Sequence, residues 1–403
     1  MSEWKELSLS DCCDLIAGYA FKSKDFGDYP VKVLKIADIN PPFVSSDSSV
    51  GVNLDNYDLK KIEKFVVKKG DYLLAMTGAT IGKLGRYISE NDAYLNQRVL
   101  KFQAKENIDN YFLYYVLSGR FFSKYVINHI DSESAQPNIS TGTIGKYTFM
   151  APSLLEQRDI SSILSSLDDK IAVNKKICEN LEAQAQALFK HWFVDFAPFK
   201  DGKFVESELG LIPEGWRVAS LSSIAEYRNG LAMQKFRPEE GEEGLPVLKI
   251  KELGQGGFDA NSELCSPSKI GDKYIINDGD IIFSWSGTLL VKIWCGGKCG
   301  LNQHLFVVVP NDYPKWFVYL WTKQHLDNFI RIAMDKAVTM GHIKRGELDK
   351  AMVLIPSDED FNKINALMTP IHQQIVIREL ESRLLSTLRD TLLPKLMSGQ
   401  IKL

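Results

Sequence analysis

The sequence predicts an α+β protein built in tandem, with one globular domain and one long helix written twice along 403 residues. Three observations carry this. Blocks of the first half recur in the same order in the second. Short β-branched and aromatic runs, bounded by Gly, Asp and Pro, fill most of each half. A heptad pattern closes each half.

The recurrence matters most, because a missed repeat misreads the whole fold. Trp4 opens WKELSLSD and Trp216 opens WRVASLSS. Gly18-Tyr19-Ala20 answers Gly230-Leu231-Ala232, and Val33-Leu34-Lys35-Ile36 answers Val247-Leu248-Lys249-Ile250. Lys69-Gly70-Asp71-Tyr72-Leu73 answers Asp278-Gly279-Asp280-Ile281-Ile282, and Gly78 answers Gly287. Leu95-Asn96-Gln97-Arg98 answers Leu301-Asn302-Gln303-His304, and Pro152 answers Pro356. Within each copy VKVLKI, DYLLAM and TFMAP, with counterparts LPVLKI, DIIFSW and AMVLIP, read as strands, and 111–117 and 316–321 as short helices. Such pieces with Gly and Asp turns make an α+β domain with a bent sheet. The expected boundaries are 1–152 and 201–355 for the globular domains, and 153–200 and 356–403 for the helices.

The helices rest on spacing. Ile160, Leu164, Leu167, Ile171, Asn174, Cys178, Leu181, Ala185 and Leu188 alternate steps of four and three, a seam that needs a helical partner. Asn174 at a core position can fix register at a cost in stability. Ile364, Met368, Ile371 and Ile375 repeat the first four positions; Arg378 takes the place of Asn174, and the leucine spacing then carries the seam through Leu384, Leu388, Leu392 and Leu396. The simplest partner for each helix is the other. A helix over 154–196 would span roughly 64 Å. In a parallel pair the linker 197–215 would have to retrace that length, and fully extended it reaches only about 65 Å. An antiparallel pair needs no detour and places the two heads about a pseudo-two-fold axis.

Composition narrows the function. Hydrophobic residues make up 45% of the chain, with no run approaching a membrane span and no basic-then-apolar leader, so a cytoplasmic protein without a membrane partner is expected. Net charge is −3, so any nucleic-acid contact must use local patches or help from partners. Of six cysteines only Cys295 and Cys299 have a ligand-like spacing, Cys12 and Cys13 being adjacent, with no second such pair to complete a zinc site, and the histidines form no i,i+4 ligand pair; no metal is expected.

At the centre of the chain, Trp192-Phe193-Val194-Asp195-Phe196, Pro198-Phe199, Glu206-Ser207-Glu208-Leu209-Gly210 and Ile212-Pro213-Glu214-Gly215-Trp216 form a long signature. It resembles the central joint of type I restriction–modification specificity subunits. Pro152-Ser153-Leu154-Leu155-Glu156-Gln157-Arg158 is similar to the opening of their first conserved helix, and Leu392-Leu393-Pro394-Lys395-Leu396-Met397-Ser398-Gly399 to the end of their second. The resemblance covers the full length. One departure is PSDEDFNK at 356–363, where the family has a Pro-Leu-x-Glu-Gln run. The resemblance implies that each globular domain is a target recognition domain reading one half of a split double-stranded DNA site. It implies that the helices are a spacer holding two methyltransferase subunits, and that motor-nuclease restriction subunits complete the complex. S-adenosylmethionine, ATP and magnesium then belong to those partners, and this chain has no catalytic residues of its own. The competing reading is a coiled-coil assembly scaffold with protein-binding heads.

Candidate DNA contacts fall in equivalent loops. Asn and Gln can pair with adenine and Arg with guanine, which singles out Asn96, Gln97 and Arg98, and Gln303 and His304. Asn and Gln also satisfy backbone groups in turns. Their identity in both copies favours that role, because heads reading different sequences should differ where they read. The variable third position, Arg98 against His304, is the better reader. Thr77, Gly78 and Thr80, with Lys83 beyond, answer Trp285, Ser286, Gly287 and Thr288, where Gly permits close backbone approach and hydroxyls suit phosphate. Gln136, Asn138 and Ser140 answer His342, Lys344 and Arg345, the last two suited to phosphates. Plain turns and solvated loops compete with both readings. Asn40-Pro41-Pro42-Phe43 matches an amino-methyltransferase loop, but no glycine-rich cofactor loop accompanies it. Gly78 to Lys83 lacks P-loop spacing.

Overall fold

The computed structural model describes residues 4–131, 137–335 and 341–403. The chain forms two compact units, Met1–Asp168 with Leu388–Leu403, and Asp169–Thr387.

In the first unit, strands Lys5–Ser8 and Thr148–Ala151 pair antiparallel and close the head on itself. A five-stranded sheet runs Cys13–Ala17, Val99–Ala104, Tyr72–Ala75, Leu84–Tyr87, Phe43–Val44; a four-stranded sheet runs Gly51–Val52, Phe26–Leu34, Ala93–Leu95, Val66–Val67. The uninterrupted apolar run YLLA is explained by burial on both faces. Tyr72 and Leu74 enter one core with Phe102, Phe112 and Phe122, while Leu73 and Ala75 enter another with Leu34 and Leu95. The expected helix over 111–117 is Asn110–Ser118, capped by the Asp109 carboxylate accepting from the Phe112 N–H at 2.9 Å. The strand in VKVLKI stops at Leu34, where Ile36–Asp38 turns as a short 3₁₀ segment.

The second head repeats this plan. Its sheets run Ala225–Asn229, Leu305–Pro310, Asp280–Ser284, Leu290–Trp294 and Leu264–Cys265, Leu245–Leu248, Cys299–Leu301, Ile275–Ile276. Both heads join one strand pair in parallel, Leu34 with Leu95 and Leu248 with Leu301. Arg217–Ser220 closes on Met352–Ile355 as its counterpart does. The repeat therefore extends from sequence blocks to strand order and register.

Two helices, α1 (Leu154–Phe193) and α2 (Asp358–Met397), follow the heads. Within the second unit Asn174 donates to Glu381 at 2.9 Å, Cys178 lies 3.7 Å from the Ile375 carbonyl, and Phe189 shares a core with Ile364 and Met368. Within the first, Asp168 pairs with Arg389 at 2.7 Å and Ile160 and Leu164 share a core with Leu396. In each unit the numbering of one helix rises as the other falls, so the pairing is antiparallel. Leu167, Ile171, Leu181, Leu188, Ile371 and Leu392 are half-buried, and Ile375 is buried.

The seam of α2 differs from its expected course. Leu388 is 47% exposed and Leu384 is 65% exposed, so neither belongs to it. After Arg378 the four–three step continues through Ser382, Leu385 and Arg389, all half-buried, to Leu392 and Leu396. The leucine spacing misleads because polar side chains hold two seam positions: Ser382 donates to the Arg378 carbonyl, and Arg389 reaches Asp168.

The departure at 356–363 leaves the helix start intact. The Ser357 hydroxyl accepts from the Asp360 N–H at 3.3 Å and donates to its carboxylate at 2.8 Å. At the start of α1, Gln157 accepts from the Asp109 N–H at 2.8 Å and donates to the Pro152 carbonyl. The aligned residue in α2 is Phe361, which stacks instead on Trp316. An aromatic contact thus replaces a polar clip. The central joint is also aromatic: Trp216 packs on Phe193, Phe196 and Phe199 at 5.1–5.8 Å between ring centres. No helix among the described residues is long and apolar enough to cross a membrane.

Candidate nucleic-acid interface

Each head brings three separate segments together through backbone hydrogen bonds. In the first, the strand Tyr72–Ala75 runs out at Met76, whose N–H donates to the Arg98 carbonyl at 2.9 Å. The Met76 carbonyl accepts from Ile139, and Gly78 donates to the Pro137 carbonyl. Thr77 and Asn138 form a bridge. In the second head the Trp285 carbonyl accepts from Ile343, Gly287 donates to the Gly341 carbonyl at 3.0 Å, and Ser286 bridges His342. The three groups of candidate residues are therefore neighbours in space in both copies.

The turn at 96–98 has its own anchor. Gly18 lies so close that a β-carbon there would stand 2.1 Å from the Asn96 carbonyl oxygen; at Gly230 the figure is 2.2 Å from that of Asn302. Only glycine fits either place. The Asn96 and Asn302 N–H groups donate to Leu34 and Leu248, and those of Gln97 and Gln303 to Tyr19 and Leu231. Both glycines lie in matched blocks, which is their one signal in the sequence.

On this frame the side chains differ. Gln97, Arg98, Lys83 and Ser140 are exposed, Gly78, Thr80 and Asn138 are half-buried, and Thr77 is buried. Ser140 caps the helix Thr141–Gly145, accepting from the Thr143 N–H at 3.0 Å. Gln136 lies outside the described residues. In the second head His304, His342, Gly287, Thr288 and Lys344 are exposed, Trp285 and Gln303 half-buried, and Ser286 buried. Trp285 stands 6.2 Å from the His304 ring and 6.3 Å from that of His342, and its indole N–H donates to Asn229 at 3.0 Å. Ser286 Oγ lies 3.1 Å from His304 Nδ1. Arg345 is partly engaged, donating to the Tyr227 carbonyl at 3.2 Å, which reduces its availability to a phosphate. Nearby, the Arg228 hydrogen bond holds the Glu226 carboxyl below the usual range. Asn229, which orients Trp285, has no signal in the sequence; its place in the first copy is taken by Ala17.

The arrangement offers a backbone frame common to both heads, carrying an arginine in the first and an indole with two imidazoles in the second. Such groups hydrogen-bond to base edges and phosphates or pack on base faces. Among the described residues no cluster of His, Cys, Asp or Glu is arranged to hold a metal ion.

A fold of two like heads, each followed by a seam helix, defines a class of tandem-repeat proteins. Residues 1–183 and 213–384 match the type I restriction modification DNA specificity domain, and the chain belongs to that family. It is 28% identical over 359 residues to the MjaIX specificity subunit of Methanocaldococcus jannaschii, covering 87% of this chain and 82% of that one. It is 24% identical to the HindI specificity subunit of Haemophilus influenzae over the whole of both chains. The fold is also that of the crystal structure of a type I restriction–modification S subunit from M. genitalium, with a TM-score of 0.58 at 14% identity, covering 98% and 96% of the two chains. The chain is a DNA specificity subunit of the type I restriction–modification kind.

Proposed function

We propose that each head reads one half of a split duplex DNA site while the paired helices carry two methyltransferase subunits, which motor-nuclease subunits join for restriction. The observation that carries this is the frame itself: the backbone hydrogen bonds of Asn96, Gln97, Gly78 and Ile139 recur at Asn302, Gln303, Gly287 and Ile343, while position 98 is Arg and its counterpart is His304. A shared frame with differing exposed groups suits two readers of unlike half-sites. Exposed Ile377 and Leu384, 49% and 65% accessible on α2 outside the seam, give partner subunits an apolar surface. In this reading S-adenosylmethionine, ATP and magnesium act on the partners, and this chain is not catalytic.

The test is exchange of residues 1–152 for those of a relative, followed by genome-wide mapping of methylated bases in cells that supply the methyltransferase. One half of the methylated sequence should change and the other persist. A protein-binding scaffold would leave the whole sequence unchanged. Methylation of DNA by the purified chain with S-adenosylmethionine alone would overturn the non-catalytic assignment.

A further inference from the structure

We infer that Arg98 reads a guanine in the half-site of the first head, an assignment that rests on the DNA reading proposed above and adds the residue and the base. Arg98 sits at φ +77°, and only Phe196 joins it among described non-glycine residues with positive φ. A β-carbon is crowded in that region, and glycine or asparagine serves such a turn better. The same turn in the second head shows what the frame needs. There the Asn302 side-chain oxygen accepts from the His304 N–H at 3.2 Å and closes the turn on itself. In the first head the equivalent oxygen of Asn96 is buried without a partner among the described residues. The turn around Arg98 thus carries a strained backbone and an unsatisfied acceptor, both of which its sister copy avoids. Strain of this kind is retained where the side chain is used.

What the strain presents is an exposed guanidinium with no hydrogen-bond or ion-pair partner among the described residues. Its base is rigid, because the Arg98 carbonyl accepts from Met76 at the end of the central strand. The side chain therefore starts from a fixed point where three segments meet. The planar fork of Arg donors matches the N7 and O6 acceptors that guanine alone presents together in the major groove. A phosphate would accept from the same fork, but losing a phosphate contact weakens binding to all sequences alike, whereas losing a base contact relaxes one position.

The test uses the full chain co-expressed with its methyltransferase partner, with methylated sequences mapped for wild type, R98Q, R98K and R98G. The wild-type half set by the first head should contain a guanine. R98Q should shift that position toward adenine, and R98K should weaken discrimination there about 10-fold, with the second half-site unchanged. R98G should lose the discrimination while raising the melting temperature by about 2 °C, because glycine relieves the turn. That combination separates reading from folding. An unchanged sequence in R98G, a loss of methylation in R98Q that is uniform across sequences, or no guanine in that half would overturn the assignment and leave DNA reading standing. Absence of any two-part sequence in the wild type would instead overturn the DNA reading, and this assignment with it.

Discussion

The junction of the first head with the helices can be tested by removing one carboxylate. Asp168 accepts from the Tyr115 hydroxyl at 2.7 Å and from Arg389 at 2.7 Å, tying the helix Asn110–Ser118 to both long helices within one unit. In D168A the Tyr115 hydroxyl, on a residue only 3% exposed, loses its acceptor. An unsatisfied buried hydroxyl costs about 1–3 kcal/mol. Arg389 loses a charge-assisted bond of about 1.5–3 kcal/mol, reduced by roughly half because it stays partly exposed and keeps Asp390. Together the loss is about 2–4.5 kcal/mol, or roughly 30- to 2,000-fold in the opening equilibrium. Y115F alone should cost about 1 kcal/mol, and D168A with Y115F less than the sum, with a coupling of about 1 kcal/mol. Native-state hydrogen exchange over 110–118 and 388–397 reads this locally. Six of the seven tryptophans lie in the other unit, so in a W4F background Trp192, Trp216, Trp285, Trp294, Trp316 and Trp321 supply an unchanged fluorescence control. Additivity within about 0.3 kcal/mol would refute the shared carboxylate as the tie.

Two further outcomes follow from packing and protonation. L385A should destabilise the second unit by about 1–2 kcal/mol while L384A stays within about 0.5, measured by urea denaturation; the reverse order would restore the seam implied by leucine spacing. Burial, helped by Lys315 and opposed by Glu182, pushes His372 down to about 4 from its ordinary 6.5. The folded state then binds fewer protons than the unfolded state between those values. Its contribution is present above pH 6.5 and lost as pH falls toward 4, worth about 3 kcal/mol in all. H372Q should therefore lose less stability than wild type between pH 7 and 4.5, and equal losses would show that His372 is protonated in the folded protein.

Part of this architecture is legible in the amino-acid sequence and part is not, for physical reasons. The duplication is visible because glycines such as Gly18 and Gly230 answer steric demands that no other residue meets. The seam is visible as far as Ile375 because burial there requires apolar side chains. It fades where Arg389 fills a seam position by bonding to Asp168, a partner far away in sequence. Strand order is hidden because Tyr72 to Ala75, buried on both faces, shows no alternation to mark a side. The meeting of Met76, Arg98 and Asn138 is hidden for a different reason: main-chain hydrogen bonds make it, and these leave no imprint on residue type. Equivalent positions in the two copies are the available clue, and they locate the loops without showing that the loops touch.

The closing strand of each head has a consequence for inheritance. Lys5–Ser8 lies against Thr148–Ala151, and Arg217–Ser220 against Met352–Ile355, so each head begins and ends at one seam of main-chain hydrogen bonds. Backbone pairing of this sort is indifferent to most side chains. A crossover between genes that falls within those short strands would deliver a complete head with its ends already matched to the recipient. The architecture is thereby open to acquiring new recognition in a single genetic event, leaving the helices and whatever they bind undisturbed.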